Sequence, residues 1–490
     1  MPAQLGKTLP AAEWRSACGE PPARPRVTNS DMDAEACYRA VQGRDARFAG
    51  RFFLAVRTTR IYCRPGCPAR LPRRENVEFF PSAAAAEGAG FRACLRCRPD
   101  AAPGSPAQAG TAATLSRALR LLEESGEARG LAGRLGVTDR HLRRLFARHL
   151  GATPAAVLRT RRLHLARQLL ETSTLPMLEV AESAGFRSLR RFNEAVQRGF
   201  GRTPSALRGR TPSALLKVAA PQAPTLSLRL PFHAPLDFEA LLGFLAARTL
   251  PGIEEVREDC WLRTLREGVL SVRRAGDSHL QLEMPAAAAP QALQLVARVQ
   301  RVFDLRADPR AIAEHLSRDA GLRPLLRKGL RVPGAWDAFE MAVRAILGQQ
   351  ISVQRARAMA GELVEAHGEH LAHGRLFPTP AQLAEVELRG MPAVRARAIA
   401  ELARAVRDGR VRLDGALPLD ETCAALCALP GIGDWTAQLI ALRALGEPDA
   451  FPAADLGLCH ALSLTPRELL ARAEAWRPWR AYAAAAIWLS

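Results

Sequence analysis

Four cysteines in two close pairs place the tightest constraint on the fold of this chain. Three residues separate Cys63 from Cys67, two separate Cys94 from Cys97, and 26 lie between the two pairs. Two such pairs let two turns of the chain meet around one tetrahedral ion, and four thiolates satisfy Zn²⁺ without an open position. The alternative, four ordinary core cysteines, fits this clustering poorly. The spacing predicts one Zn²⁺ per chain, but it does not separate a structural cysteine from a reactive one.

The charge of the chain indicates a nucleic-acid partner. Its 490 residues include 69 Lys and Arg against 49 Asp and Glu, a formal net charge of +20. Nearly all of the basic residues are Arg, whose planar fork pairs with phosphate. A GC-rich genome would explain Arg in place of Lys, but it would not explain the excess of basic over acidic residues. We therefore expect this chain to bind nucleic acid.

Several classes of protein are excluded by the apolar pattern. The hydrophobic content of 48% is ordinary for folded chains, so wholesale disorder is excluded. No apolar run approaches the length of a membrane span, and the N-terminus does not resemble a secretory signal. We expect a cytoplasmic protein with no membrane partner, in which a disulfide framework would be out of place.

The chain divides into segments of different composition and periodicity. Alternating apolar residues near Leu226, Leu270 and Leu280 predict strands, whereas helical periodicity dominates after Pro309. We predict six segments: a flexible tail at 1–30, a zinc domain at 31–104, a helical domain at 111–208, a linker at 209–225, an α+β lobe at 226–303 and a helical region at 304–490.

The residues around the cysteines resemble a known sensor domain. Cys63-Arg-Pro-Gly-Cys67-Pro-Ala-Arg70 and Gly90-Phe-Arg-Ala-Cys94-Leu-Arg-Cys97 are similar to the N-terminal domain of the Ada family of bacterial methylation sensors. In that family the first zinc cysteine takes a methyl group irreversibly from a methylphosphotriester in DNA. The resemblance implies that Cys63 is the methyl acceptor, and it places Thr59 at a DNA contact together with Arg70.

Two copies of a helix-turn-helix pattern follow, about 50 residues apart. In the first copy, Gly136 suits a tight turn and Thr138 can cap the second helix. One copy alone fits many helical hairpins, but the pair resembles the two-motif AraC-type DNA-binding domain, in which each second helix enters a major groove. The residues then expected to face DNA are Arg140, His141, Arg143, Arg144, Arg187, Arg190 and Arg191.

A tight hairpin is predicted late in the chain, at Leu-Pro-Gly431-Ile-Gly433-Asp-Trp-Thr-Ala. Two glycines around one apolar residue expose backbone N–H groups, and the start of the following helix adds donors and a positive dipole end. This arrangement grips a DNA phosphate without reading bases. We expect Gly431, Gly433 and Thr436 to contact DNA; the alternative is an ordinary helix-loop-helix in which Asp434 is only a cap.

The hairpin resembles that of the helix-hairpin-helix DNA glycosylases. Members that also cut the backbone carry a nucleophilic lysine where this chain has Trp435, so the resemblance implies a monofunctional enzyme that removes a base and leaves an abasic site. The segment Phe-Pro-Ala-Ala-Asp455, about 20 residues further on, matches the one that carries the catalytic aspartate of the superfamily. An ionised carboxylate can stabilise an oxocarbenium ion or orient the attacking water.

Three further segments, 231–248, 336–353 and 477–488, resemble the 3-methyladenine DNA glycosylase II (AlkA) family. The similarity spans about residues 226–490 and implies an α+β lobe on two helical lobes. It places Trp435, Trp488 and Phe244 in a pocket that selects cationic alkylated purines by stacking and cation–π attraction. Gln350 stands where the best-known member has a leucine that wedges into the emptied stack, and Leu439 replaces a pocket tyrosine.

We therefore predict a multidomain, mainly α protein. A small zinc-bound α+β domain and a two-motif helix-turn-helix bundle precede an α+β lobe and the helical lobes of a helix-hairpin-helix glycosylase. The first half is expected to sense methylated phosphate and regulate transcription, and the second to excise alkylated purines. The expected partners are alkylated and promoter double-stranded DNA, with RNA polymerase as a candidate and the nucleoid as the location.

Two alternatives stay open. One is a transcriptional regulator with a degenerate glycosylase lobe that only binds DNA, against which the intact Asp455 and hairpin argue. The other is a glycosylase whose zinc module is purely structural.

Overall fold

The computed structural model describes residues 34–44, 48, 52–94, 96, 97, 99, 112–208 and 225–490. The predicted tail at 1–30 and the predicted linker at 209–225, apart from Thr225, lie outside this set. The described part is mainly helical and multidomain, with a small sheet-containing N-terminal domain, as predicted. Among these residues, no helix is both long and apolar enough to cross a bilayer.

The zinc domain is a four-stranded sheet with two helices. Its elements are α1 (Ala34–Gln42), β1 (Phe53–Val56), β2 (Ile61–Cys63), β3 (Val77–Phe80), α2 (Ala83–Gly88) and β4 (Arg92–Ala93). The strand order is β3-β1-β2-β4, in which only β2 and β4 are parallel. Because neighbouring parallel strands end at the same edge of a sheet, the residues that follow β2 and β4 come together there.

The helix-turn-helix domain repeats one design twice. Its helices are α3 (Ala112–Ser125), α4 (Leu131–Arg134), α5 (Asp139–Leu150), α6 (Pro154–Thr172), α7 (Met177–Ser183), α8 (Leu189–Phe200) and α9 (Pro204–Arg208). Gly136 and Gly185 turn the chain before α5 and α8 with φ of +68° and +81°. The side chains of Thr138 and Ser188 cap those two helices. The predicted turn at Gly136 and the predicted cap at Thr138 are confirmed.

The α+β lobe contains a five-stranded antiparallel sheet. Its elements are β5 (Thr225–Pro231), α10 (Phe238–Ala246), β6 (Glu254–Arg257), β7 (Cys260–Leu265), β8 (Gly268–Arg274), β9 (His279–Pro285) and α11 (Ala292–Val302). The strand order is β5-β9-β8-β7-β6. Leu280, Leu282 and Met284 alternate with less buried residues along β9 and place one face of the sheet in the core. The three predicted strands are confirmed.

The remaining chain is helical apart from one hairpin. Its helices are α12 (Pro309–Leu316), α13 (Ala338–Leu347), α14 (Val353–His367), α15 (Pro380–Glu385), α16 (Ala393–Arg407), α17 (Leu419–Cys427), α18 (Asp434–Arg443), α19 (Leu456–Leu462), α20 (Pro466–Ala473) and α21 (Arg480–Trp488). The hairpin of β10 (Glu369–Leu371) and β11 (Gly374–Leu376) departs from the predicted helical pattern. Gly374 lies so close to Thr264 of β7 that a Cβ would stand 2.6 Å from its hydroxyl oxygen. Packing against the α+β lobe, which local periodicity does not report, accounts for the hairpin.

The zinc domain packs directly on the helix-turn-helix domain. Tyr62 of β2 donates to Glu87 at 2.8 Å, and Thr160 of α6 donates to the other oxygen of that carboxylate at 2.5 Å. Ser82, at the start of α2, donates to the carbonyl of Leu150 at the end of α5 at 2.6 Å. The two modules therefore share buried polar contacts in addition to apolar ones.

The helix-turn-helix domain also contacts the helical part of the second half. Arg120 of α3 pairs with Glu447 at 2.7 Å, and Arg134 pairs with Asp414 at 3.0 Å. Ala416 is buried in the core of the first helix-turn-helix motif. These contacts hold the helix-turn-helix domain against the helical part of the second half.

Candidate zinc centre and catalytic carboxylate

The four predicted cysteines converge at one edge of the zinc-domain sheet. Cys63 is the last residue of β2, and the backbone N–H of Cys94 donates to the carbonyl of Tyr62 at 3.0 Å. The Sγ atoms of Cys63, Cys67, Cys94 and Cys97 all lie within 4.8 Å of one another, and all four side chains are buried. A tetrahedral zinc–thiolate centre with bonds of about 2.3 Å places its sulfurs about 3.8 Å apart. The arrangement fits Zn²⁺, and the predicted zinc site is confirmed.

The two residues of the zinc domain that are expected to contact DNA are open to solvent. Thr59, in the turn between β1 and β2, is exposed, and so is Arg70. Some neighbouring arginines are already paired: Arg57 with Glu78 at 2.9 Å, and Arg74 with Glu35 at the same distance. Cys63 itself is only 7% exposed.

The two recognition helices present their basic residues to solvent. Arg140, Arg143 and Arg144 are exposed on α5, and their counterparts Arg187, Arg190 and Arg191 are exposed on or just before α8. Surface acids pair with two of them, Glu127 with Arg187 at 3.1 Å and Glu194 with Arg190 at 3.0 Å. Exposed ion pairs of this kind are weak, so phosphate can displace the acids.

The predicted hairpin joins α17 to α18. Gly431 has φ +83°, and a Cβ there would lie 2.8 Å from that of Ala398, so both the turn and the packing on α16 require glycine. Gly433 caps α18 with an extended backbone and no side-chain acceptor, which leaves the first-turn amides directed outwards. Thr436, by contrast, is 2% exposed and accepts a hydrogen bond from Gln349 at 3.0 Å. Its side chain supports the hairpin from within and does not face DNA.

Asp455 stands beside the hairpin and is held by three N–H donors. The indole of Trp435 donates to Oδ2 at 3.1 Å, and the indole of Trp488 donates to Oδ1 at 3.3 Å. The same Oδ1 accepts from the backbone of Leu458 at 3.2 Å, because Asp455 is the N-cap of α19. The carboxylate is half-buried and fixed in orientation between two predicted pocket residues.

The ring of Phe244 contacts two guanidinium groups. That of Arg248 lies 3.6 Å from the ring centroid and that of Arg443 lies 4.9 Å away, while the Trp488 ring is 6.5 Å away. Burial and nearby Arg344 lower the pKa of Arg248 to about 10, an effect that Asp455 opposes. Phe244 is 9% exposed and already engaged by two guanidinium groups, whereas Trp435 and Trp488 are half-buried.

The residue predicted to act as a wedge lies in an exposed loop. Gln350 is exposed in the loop between α13 and α14, with φ +55°. Leu439 is half-buried against the core of the helical lobes. Sequence analysis did not single out Arg248 or Gln349. The signal for Arg248 was its position four residues after Phe244, and the signal for Gln349 was its position directly before Gln350.

Matches to known families cover most of the chain. Residues 36–100 match the metal binding domain of Ada, and residues 131–210 match a helix-turn-helix domain. Residues 227–337 match the AlkA N-terminal domain, and residues 343–467 match the HhH-GPD superfamily of base excision DNA repair proteins. These four matches confirm the resemblances drawn from the cysteine pairs and the hairpin.

A relative from Mycobacterium tuberculosis (strain H37Rv), the "Probable bifunctional transcriptional activator/DNA repair enzyme AlkA", is 45% identical over 478 residues. The alignment covers 93% of this chain and 96% of the relative. The chain belongs to this family. It joins an Ada-like methyl-sensing domain and a helix-turn-helix domain to a DNA glycosylase domain, and DNA is its partner.

Other relatives match one half each. "DNA-3-methyladenine glycosylase 2" from Escherichia coli (strain K12) is 34% identical, over 52% of this chain and 95% of its own length. "Bifunctional transcriptional activator/DNA repair enzyme Ada" from the same strain is 40% identical, over 30% of this chain and 42% of its own length. The chain is thus similar to a repair glycosylase in its second half and to the N-terminal part of a methylation sensor in its first.

Proposed function

We propose that the second half hydrolyses the N-glycosidic bond of alkylated purines in DNA, 3-methyladenine and related bases, with Asp455 as the catalytic carboxylate. The observation that carries this proposal is the pair of indole N–H groups of Trp435 and Trp488 that hold both oxygens of Asp455. A carboxylate fixed between two aromatic side chains lies where the sugar of a base stacked on them would lie.

The chemistry follows from that placement. As the bond between the base and C1′ breaks, its electron pair leaves with the base, and positive charge develops on the sugar. Asp455 stabilises this charge and directs a water molecule to C1′, accepting a proton as the new C–O bond forms. Alkylated purines that are already cationic leave most readily. Trp435 offers no amine, so no covalent Schiff base forms and the product is an abasic site with an uncut backbone.

The hairpin and the wedge loop hold the DNA for this step. Gly431 and Gly433 bring backbone N–H groups to a phosphate, with the Thr436 side chain beneath them. Gln350 occupies the space that the extruded base vacates. The aromatic faces of Trp435 and Trp488 receive the base, and the wall behind them contains Phe244.

We propose that Cys63 of the zinc domain is the methyl acceptor. Its sulfur attacks the methyl carbon of a methylphosphotriester, the new S–C bond forms as the C–O bond breaks, and the phosphodiester leaves with the electron pair. Bound Zn²⁺ keeps the sulfur in the thiolate form that this attack requires. Thr59 and Arg70, both exposed, orient the phosphate.

Methyl transfer then changes the affinity of the first half for promoter DNA. A thioether carries no charge, so repulsion between this edge and DNA phosphate falls once Cys63 is methylated. The two recognition helices present Arg140, Arg143 and Arg144 and their counterparts Arg187, Arg190 and Arg191 to successive major grooves. We propose that the methylated chain recruits RNA polymerase at those promoters, on the bacterial nucleoid.

Base release from alkylated duplex DNA tests the catalytic proposal. Asp455→Asn keeps the side-chain shape but removes its charge, and we expect single-turnover release of 3-methyladenine to fall about 10²–10³-fold. Affinity for undamaged duplex should stay close to that of the wild type, because the hairpin amides are unchanged. The alternative, a regulator with a degenerate lobe, requires wild type and variant to release equally little base. Borohydride trapping of a covalent adduct would contradict the monofunctional mechanism.

A further inference from the structure

The loop between α13 and α14 carries two neighbouring glutamines in different environments. Gln350 is exposed at φ +55°, whereas Gln349 is half-buried and turned towards the hairpin. The side-chain amide of Gln349 donates to the carbonyl of Gly431 at 2.8 Å and to the hydroxyl of Thr436 at 3.0 Å. One residue therefore joins the wedge loop to the element that grips the phosphate.

A third element holds the same residue from its other side. Arg395 of α16 donates to the backbone carbonyl of Gln349. The same helix also supports the hairpin, since a Cβ at Gly431 would stand 2.8 Å from that of Ala398. The wedge loop, the hairpin and α16 thus meet at Gln349.

The hydrogen bonds of Gln349 support a strained backbone conformation at the next residue, Gln350. A non-glycine residue such as Gln350 at positive φ is strained, and this conformation persists only where its surroundings hold it. The Thr436 hydroxyl, 2% exposed, depends on a protein partner for its hydrogen bond. Loss of the Gln349 amide would leave that hydroxyl unsatisfied and release the loop beside Gln350.

We propose that Gln349 is a positioning residue for base extrusion. Its amide sets the position of Gln350 relative to the hairpin, so that the wedge enters the stack at the nucleotide whose phosphate the hairpin grips. Both elements must engage the same stretch of DNA together, and a misplacement of about 1 Å at such a site can cost about 10²-fold in rate. The proposal rests on the proposed glycosylase function.

The test compares Gln349→Met with a matched control. Methionine keeps the length of the side chain and removes both donors. Gln291→Met makes the same change in the α+β lobe, where the exposed Gln291 donates to Glu267 at 2.7 Å. On duplex DNA with one 7-methylguanine opposite cytosine, we expect single-turnover base release to be about 10–100-fold slower in Gln349→Met and unchanged in the control.

A second substrate separates extrusion from general damage to the site. The same lesion placed opposite an abasic-site analogue has no pairing partner, so extrusion costs less. If Gln349 acts on extrusion, the deficit should shrink to about threefold or less on this DNA. Fluorescence of 2-aminopurine next to the lesion, which rises when the stack opens, should fall in Gln349→Met on the paired substrate and be restored on the unpaired one.

Two results would overturn the proposal: a Gln349→Met rate equal to that of the control, or an equal deficit on both substrates. Thermal melting checks the fold, and if Gln349→Met has lost its transition, Gln349→Glu is measured in its place, since an acceptor cannot donate to the Gly431 carbonyl. If wild type and Asp455→Asn both release no base, the proposed function fails on its own. The positioning role of Gln349 is then tested by 2-aminopurine fluorescence on DNA with a stable abasic analogue, which needs no catalysis.

Discussion

The carboxylate of Asp455 and the thiol of Cys63 lie in different electrostatic environments. Three N–H donors fix both oxygens of Asp455, and Arg248 is close enough for the two charges to interact. Preorganised charge of this kind stabilises a developing cation without reorganisation at the moment of reaction. Cys63 instead lies among three other sulfurs within 4.8 Å, an environment suited to a thiolate only when a cation is bound.

This difference predicts where a methyl group will be found. After incubation with methylphosphotriester DNA, peptide mass spectrometry should locate one added methyl on Cys63, because only a zinc-bound thiolate beside DNA can attack. Cys427 is the internal control: it is exposed, but burial of its sulfur and nearby Asp434 raise the pKa of its thiol, so it should stay unmodified. A methyl on any other residue would contradict the assignment. Elemental analysis of the same protein should find one zinc per chain.

A second residue-scale prediction concerns pH and Asp319. Hydrogen bonds from Arg472 lower the pKa of this carboxyl well below its ordinary value, and Trp476 adds to the effect while burial opposes it. A depressed pKa stabilises the fold above the unfolded value of about 3.9, and that contribution is lost as pH falls through the folded value. Asp319→Asn should lower the free energy of unfolding at neutral pH by about 2 kcal/mol.

Urea unfolding measures this difference. The gap between wild type and Asp319→Asn should narrow as pH falls below about 4, because Asp319 of the unfolded chain takes up a proton there while Asp319 of the folded chain stays ionised to a lower pH. Asp277→Asn is the control, since Asp277 is fully exposed and pairs with Arg274 only at the surface, at 3.3 Å. A gap that is independent of pH would show that the Asp319 charge contributes nothing to stability.

Among the elements, the hairpin at 429–433 contains two glycines with different demands. Gly431 has positive φ and no room for a Cβ against Ala398, whereas Gly433 has φ −95° and open space around it. The first is required by the fold of the hairpin. The second keeps the start of α18 accessible to a phosphate.

The two glycines therefore predict different effects on stability. Gly431→Ala should destabilise the helical lobes by about 1–3 kcal/mol, because alanine is strained at this φ and contacts α16. Gly433→Ala should leave the thermal midpoint close to that of the wild type. Differential scanning calorimetry of the full chain compares the two, and equal midpoints for both variants would contradict the packing described for Gly431.

On the scale of the whole molecule, the helix-turn-helix domain contacts the zinc domain on one side and the glycosylase lobes on another. It contacts the zinc domain through Glu87 and Thr160, and the glycosylase lobes through Arg120 and Glu447, whose side chains are 17% and 15% exposed. These contacts join the zinc domain, the helix-turn-helix domain and the helical lobes that carry Asp455.

Charge exchange tests this docking. Arg120→Glu and Glu447→Arg should each loosen the two halves, and the double variant should restore the contact, with a coupling free energy of about 0.5–3 kcal/mol. Cleavage of the chain between the halves by a dilute protease reports the loosening. Small-angle scattering gives an independent measure of compactness. The contact would be absent in solution if both single variants matched the wild type in both measurements.

Features that depend on a few neighbouring residues could be predicted from the sequence. The cysteine spacing predicted the zinc site, Gly136 and Thr138 predicted a turn and a cap, and alternation near Leu280 predicted a strand, since each signal lies within a few neighbouring residues. The hairpin at Gly431 belongs to the same group. Such features follow from backbone sterics and ligand geometry, which the local sequence contains.

Tertiary packing decided the rest. The convergence of Trp435 and Trp488 on Asp455 joins residues 20 and 33 positions apart, and it depends on how α18, α19 and α21 pack. Packing also turned Thr436 inwards, set two arginines against Phe244 and inserted a hairpin into the helical half. These outcomes arise because the burial and charge environment of a side chain depend on segments distant in sequence, whereas its local conformation depends on its neighbours.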